Sequence, residues 1–205
     1  MKHIELKEND LLFAKVNPKA IIPSKEDENA GYDIYACFDE DYMVIPPNST
    51  KLIPTGIASV VSDKYYLQVH ERGSTGSKGI KYGAGVIDSS YRGEIFICLN
   101  NINNTEIIIS KLSLEELCEK YRRVDYDLDD KYVTTFLDYG TGEYEHAYLV
   151  DPEDEYTAII YPYKKAIAQL VVHEVPKMNV KEITYEELQK IPSKRGSGAL
   201  GSSGK

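Results

Sequence analysis

The chain has no tryptophan, only three cysteines and no long apolar run, and each scarcity removes a class of protein. Cys37, Cys98 and Cys118 are odd in number, far apart and in no ligand spacing, so neither a disulfide framework nor a zinc site is indicated. A reducing cytoplasm fits that usage best. No stretch approaches the ~18 apolar residues of a membrane span, and Met1 to Glu8 is charged throughout, so a soluble, unprocessed chain without membrane contact is expected. Positive charge is short as well: 24 Lys and Arg against 33 Asp and Glu leave a net charge of -9. That balance argues against a nucleic-acid polymer as partner, which needs clustered cations to displace its counterions. A small anion is still compatible, because screening over ~8 Å lets a local basic pocket act independently of the whole.

What is present reads as β structure. The 205 residues, 42% apolar, suffice for one substantial core with a decoration. Short apolar and β-branched runs separated by turn signals occur at Ala20-Ile21-Ile22-Pro23, Met43 to Pro47, Leu52-Ile53-Pro54, Tyr66 to His70 and Gly93 to Leu99. This spacing predicts a mainly β barrel or sandwich. Seventeen tyrosines add to the strand-forming stock, most of them expected to be half-buried sheet residues. There is no internal repeat.

From about Thr105 to Tyr161 the character changes, with Val124 to Asp130 and Asp151 to Glu155 strongly acidic. A helix start stands within it, Ser113 and Glu116 having capping-box spacing before Leu117. We therefore expect a β domain over 1–104 and 159–194, interrupted by an acidic, mixed α/β insertion over 105–158. The β pattern resumes at Ala166 to Val172, and a short helix is expected from Thr184, with Glu187 as its capping partner. The tail, 195–205, is rich in glycine and serine and should be mobile unless a ligand orders it.

Four glycine-containing segments stand out: Ala30 to Ala36, Arg72 to Ile80, Gly85 to Glu94, and the tail from Arg195. Each alone reads as an ordinary β-turn cluster. Two of them, however, open on an arginine followed by glycine and hydroxyl residues, the combination that wraps phosphate oxygens with N–H groups, hydroxyls and a planar positive fork. A phosphorylated ligand follows, without a name.

In order and spacing these segments resemble the motifs of the trimeric dUTPase family. Ala30 to Ala36 resembles its first motif, Arg72 to Gly76 the second, Gly85 to Glu94 the third, Ile167 to Leu170 part of the fourth and the tail the fifth, while Pro54-Thr55-Gly56-Ile57 is similar to a stretch usual between the first two. The resemblance implies a jelly-roll-like β-barrel, a homotrimer whose active sites are each shared between subunits, and hydrolysis of dUTP to dUMP and pyrophosphate with Mg2+. It implies that Asp88 activates the attacking water, and that a third-motif hairpin, with Tyr82, Ala84, Gly85 and Ile87 among its substrate-binding residues, reads the uracil edge. Tyr91 would pack under the deoxyribose and leave no room for a 2′-hydroxyl. Arg72, Gly73, Ser74 and Gln169 would hold the triphosphate, although Arg72 also reads as a structural ion pair with a motif carboxylate. Asp33 would face magnesium through water or brace the subunit junction. Arg195, Leu200, Gly201, Ser202 and Ser203 would close over the nucleotide as a lid.

The sequence departs from that pattern at Gly73, where a serine is usual, at Ala166, where an arginine is usual and Lys164-Lys165 stands just before, and at Leu200, where a uracil-stacking phenylalanine is usual. Lysine is a weaker mimic of arginine because it lacks the planar fork. Some phage-type members carry extra segments between the third and fourth motifs, so a regulatory protein partner through 105–158 is an expectation. Two rivals stand beside hydrolysis. A dCTP deaminase shares the fold, but the glutamate it needs falls at Cys98. A regulatory binding module that has lost turnover would account for the three departures, against the presence of Asp88, Tyr91 and Arg72.

Overall fold

The structure is a computed structural model, and it describes residues 5–113, 116–117, 133–137, 146–150, 158–194 and 196–197. By backbone contacts the chain forms two compact units, Met1–Val175 and Pro176–Lys205. The second unit thus begins ahead of the tail expected from Arg195.

Among the described residues, the strands of the first unit form four sheets. The largest is ordered β11-β12-β13-β10-β3, where β3 is Tyr42–Ile45, β10 is Glu106–Ser110, β11 is Val133–Leu137, β12 is His146–Val150 and β13 is Ala158–Pro162. A second runs β2-β14-β6-β8: Gly31–Ile34, Ala168–Glu174, Tyr65–His70 and Val86–Ile87. A third joins β4 (Ser49–Pro54), β9 (Phe96–Asn101) and β7 (Ile80–Gly83), and β1 (Leu11–Lys15) pairs β5 (Ile57–Val61). Alternation explains how they close on a common core. In β6, Leu67 and Val69 are buried while Tyr66, Gln68 and His70 are only half-buried, the period of two that gives a strand one inner face. Ile34, Ile53, Leu67, Ile97, Leu99 and Leu170 meet in the core from two of these sheets, each fully buried aliphatic stabilising the fold by about 1.5–3 kcal/mol.

Two expectations change here. Ala20-Ile21-Ile22-Pro23 is not a strand; Ala20 and Pro23 are buried, and the segment leads to a single bridge between Ser24 and Asp33. A proline cannot donate to a ladder, which limits pairing there. The start of the segment expected as an insertion, 105–158, holds a buried strand. Strand β10 pairs antiparallel with β3 and parallel with β13, and its Ile107 and Ile109 enter the main core. Ile108 faces the other way, into a second cluster with Ala158, Ile160 and Leu117. Leu117 arrives there through the anticipated helix start: Glu116 Oε2 accepts the Ser113 N–H at 2.8 Å, and Ser113 Oγ accepts the Glu116 N–H at 3.2 Å. The chain between β10 and β13 adds β11 and β12 to the edge of the same sheet.

A buried asparagine fixes the approach to the second glycine segment. Asn101 donates to the carbonyls of Ile45, Pro46 and Thr105 at 3.0–3.1 and 2.8 Å, and accepts from Asn103 N–H at 3.0 Å. Asn103 in turn donates to Lys78 O at 2.9 Å, tying that segment to the end of β9. In the second unit, helix α2 (Tyr185–Gln189; α1 is Gly73–Gly76) has the expected cap, Thr184 Oγ1 accepting from Glu187 N–H at 3.2 Å. No described helix is long and apolar enough to cross a membrane.

Candidate functional site

The site forms where β6 runs out. Arg72 keeps extended backbone (φ -81, ψ 150) and caps the single turn α1, while Thr75, fully buried, accepts the Arg72 N–H at 3.0 Å and donates its hydroxyl to Arg72 O at 3.0 Å. With its backbone fixed this way, the Arg72 side chain turns toward β2. Its Nε lies 3.0 Å from Asp33 Oδ1 and its Nη2 3.2 Å from Asp33 Oδ2, while Nη1 donates to Ala166 O at 3.2 Å. The ion pair that the sequence offered as the structural reading of Arg72 is thus present. It does not use up the arginine, because a guanidinium carries five N–H donors in its fork.

Strand pairing brings the remaining groups alongside. Asp33 and Gln169 are register partners across β2 and β14, and Gln169 Nε2 donates to Glu71 O at 2.8 Å. The Gln169 side chain lies over Gly31, where a Cβ would come within 2.9 Å of the Gln169 Cβ and closer still to its amide oxygen. The glycine of the first motif is therefore a clearance for the glutamine of the fourth. An open cleft of about 720 Å³ is lined by Asp33, Arg72, Gly73, Ser74 and Gln169, with Lys25 on its rim. A Cβ at Gly73 would meet nothing within 4 Å, so the absent serine is not a steric requirement of the turn.

The fourth-motif departure also takes physical form. Ala166 is buried, and its carbonyl accepts from both Arg72 and the Tyr161 hydroxyl, the latter at 2.6 Å. Burial raises the Tyr161 hydroxyl above its usual range, with Tyr82 adding to the shift. The Lys165 ammonium sits 5.7 Å from the Tyr161 ring centre. Its pKa is pulled down to about 8, first by burial and then by the like charges of Lys78 and Arg72. Lys165 thus brings positive charge to the neighbourhood of Arg72.

The third motif is not a self-paired hairpin. Strand β7 pairs β9 and β8 pairs β6, so the chain changes sheets at Ala84-Gly85, where Ala84 has φ 47. Ile87 is a core residue, which leaves only its backbone for a ligand. The Tyr82 hydroxyl donates to Ile167 O, and burial raises its pKa to about 12. Asp88 is exposed, and a turn follows in which Tyr91 N–H donates to Asp88 O at 3.0 Å. Continuing the β6–β8 register, in which Leu67 faces Ile87, sets Asp88 beside Tyr66. Arg72 lies six residues further along, about 20 Å at the rise of extended chain. One chain therefore brings Asp33, Arg72, Gly73, Ser74 and Gln169 together in one cleft, whose lining includes neither Asp88 nor Tyr91.

Arg195, Leu200, Gly201, Ser202 and Ser203 lie outside the described residues. Sequence reasoning missed Ser24, Lys25, Glu26 and Asn29 as a wall of the cleft; they are polar and without a chemical motif, and only tertiary structure brings them there. No group of three or more His, Cys, Asp or Glu side chains suited to a metal exists among the described residues.

Comparison with known proteins places this geometry. The family model for dUTPase matches residues 17–113. The deoxyuridine 5'-triphosphate nucleotidohydrolase of Leptospira interrogans is 34% identical over 103 residues, 48% of this chain and 70% of that protein. The chain belongs to the dUTPase family. Among solved structures, the Staphylococcus bacteriophage 80alpha dUTPase with dUPNHPP, described as controlling transfer of virulence genes by a G protein-like mechanism, aligns with TM-score 0.61 at 23% identity, covering 96% of this chain and 99% of that one. A dUTPase of phage phi11 of S. aureus, described with a structural Mg(II) ion, aligns with TM-score 0.57 at 21% identity, covering 87% and 99%. The sheets above are therefore a dUTPase-type jelly-roll barrel, whose largest sheet includes β11 and β12.

Proposed function

We propose that this protein hydrolyses dUTP to dUMP and pyrophosphate in sites shared between three copies of the chain. The observation that carries the reading is the cleft where three motifs converge, with Arg72 and Ser74 facing it and Gln169 and Asp33 beside them. A guanidinium, a hydroxyl and an amide suit phosphate oxygens. Asp88, about 20 Å from Arg72 along the strand, and Tyr91 serve the same reaction but do not line that cleft, so a neighbouring copy would present them. A head-to-tail ring of three supplies each cleft with one such neighbour. Asp88 accepts a proton from the attacking water, which adds to the α-phosphorus as the bond to the pyrophosphate oxygen breaks; the leaving group departs with its electron pair.

Magnesium fits as an ion carried on the substrate. Both Asp33 oxygens face Arg72, so this carboxylate suits contact through water better than direct ligation. When bound, the ion would offset charge on the triphosphate. The tail from Arg195 is proposed to close over the nucleotide. Removing residues 195–205 should then damage turnover far more than folding, and equal losses of both would count against a lid.

The deciding experiment incubates the protein with Mg2+ and each of dUTP, dCTP, dTTP and UTP while following pyrophosphate and ammonia. Pyrophosphate from dUTP alone is expected. Ammonia from dCTP would indicate a deaminase, and no product from any nucleotide a binding module. The inserted segment is proposed to recruit a regulatory protein. Because β10 belongs to the barrel, the deletion that tests this replaces 119–156 with a flexible linker; identical pull-downs with and without the segment would end the idea.

A further inference from the structure

The turn after Asp88 is braced from one side in a way that the proposed chemistry does not by itself require. Tyr91 is 45% exposed, yet its hydroxyl is committed, donating to Glu94 O at 2.9 Å. The ring lies directly over Gly93. A Cβ there would come within 2.6 Å of the Tyr91 Cζ and 3.0 Å of its Cε2, and nearer still to the hydroxyl. Gly93 has no positive φ, so its lack of a side chain serves the ring and not the backbone. Glu94, which receives the hydroxyl on its carbonyl, is itself anchored: its Oε1 accepts the Gly56 N–H at 2.7 Å. The next residue, Ile95, donates its N–H to Ile57 O at 2.7 Å, and its carbonyl accepts the buried Thr55 hydroxyl at 2.6 Å. Arg92 closes the turn from outside, Nη1 donating to Ser89 O at 2.6 Å and Tyr91 O at 2.8 Å.

The Pro54-Thr55-Gly56-Ile57 stretch thus acquires a mechanical role. It is the fixed abutment against which Glu94 is held, and Glu94 fixes the hydroxyl end of the Tyr91 ring.

We infer that Gly93 and Glu94 are positioning residues for sugar selection: a shelf without a side chain and a tethered carbonyl together hold the Tyr91 ring at the height where it admits a deoxyribose and rejects a ribose. The inference rests on the dUTPase reading, in which Tyr91 packs under the sugar. A steric wall discriminates only as well as it is held, because a ring free to tilt yields to the extra hydroxyl. An exposed ring held at one end can be moved without disturbing the core, and this makes the point testable.

The test measures kcat/KM for dUTP and for UTP in the wild type, Gly93→Ala, Tyr91→Phe and Tyr91→Ala, with thermal unfolding of each. Gly93→Ala is expected to lower the dUTP-over-UTP ratio by about 10-fold or more, the scale of one misplaced methyl group in a pocket. Its unfolding should stay near wild type. Tyr91→Phe, which loses only the tether, should lower the ratio less, and Tyr91→Ala most. Wild-type selectivity in Gly93→Ala, beside lost selectivity in Tyr91→Ala, overturns the inference and leaves the dUTPase reading intact. Selectivity kept in Tyr91→Ala too takes the sugar away from Tyr91, and the inference falls with that assignment. If Gly93→Ala does not fold, Tyr91→Phe carries the test, and an unchanged ratio there overturns the proposal. Absence of dUTP turnover in the wild type defeats the reading itself.

Discussion

The guanidinium of Arg72 faces both carboxylate oxygens of Asp33, Nε to Oδ1 at 3.0 Å and Nη2 to Oδ2 at 3.2 Å, from the cap of α1 to strand β2. The pair aims the arginine across the cleft. It also leaves Asp33 with its charge largely spoken for. The side chains are 25% and 32% exposed, so the attraction is only partly screened. Asp33→Asn should lower stability by about 1 kcal/mol and weaken dUTP binding through a wandering Arg72. Urea unfolding and KM together test this. A variant that loses stability but keeps KM would confine the pair to a structural role.

Asp88→Asn should slow hydrolysis by ~10² to 10⁴ with nucleotide binding largely intact, the range for loss of a positioned base. Unchanged turnover would overturn the mechanism.

Two inactive variants should rescue each other. Asp88→Asn and Arg72→Ala chains, unfolded together and refolded as an equal mixture, are expected to regain roughly a quarter of wild-type activity, because a shared site can draw each intact residue from a different subunit. No gain over the separate variants would mean that Asp88 and Arg72 must act from one chain.

Gly31→Ala should cost about 1–3 kcal/mol, since its Cβ would press on Gln169 and one of the two must shift. A KM increase should accompany the lower melting temperature. Wild-type values of both would show that Gln169 has another place to go.

The pH dependence of stability should carry a signature of Lys165. Its pKa is near 8 when folded against an ordinary 10.5, burial being the chief cause. Between these values the unfolded chain binds the additional proton, so raising pH through that window adds stability. Lys165→Gln has no ammonium to desolvate. The melting temperature of this variant minus that of the wild type should therefore fall between pH ~7 and pH ~10. A constant difference would mean that burial of the charge is not what the lysine feels.

The barrel was legible because strands with one inner face alternate, as at Tyr66 to His70, and because the glycine segments keep their order. The capped starts at Ser113 and Thr184 were legible for a local reason: a capping box is written within four residues. Ile107-Ile108-Ile109 was not. A strand buried on both faces shows a continuous apolar run with no period, and beside an acidic segment it read as part of the insertion. The cleft was half legible. Arg72, Gly73, Ser74 and Gln169 carry recognisable chemistry, whereas the clearance at Gly31 and the wall of Ser24, Lys25, Glu26 and Asn29 exist only through pairing between distant strands. The third motif changes partner strands at Ala84, a consequence of sheet order that no local pattern encodes.

Strands β10 and β13 lie side by side and run in the same direction, Glu106 opposite Ala158 and Ser110 opposite Pro162. A chain leaving the top of one must come back to the bottom of the other before it can continue, and no tight turn can do this. Some crossover is compulsory at this place in the barrel, while its content is nearly free, because lengthening a connection costs only slowly growing closure entropy. The position therefore acts as a docking bay for foreign sequence. A designer could graft a binding module into it without rewriting the barrel that holds the chemistry.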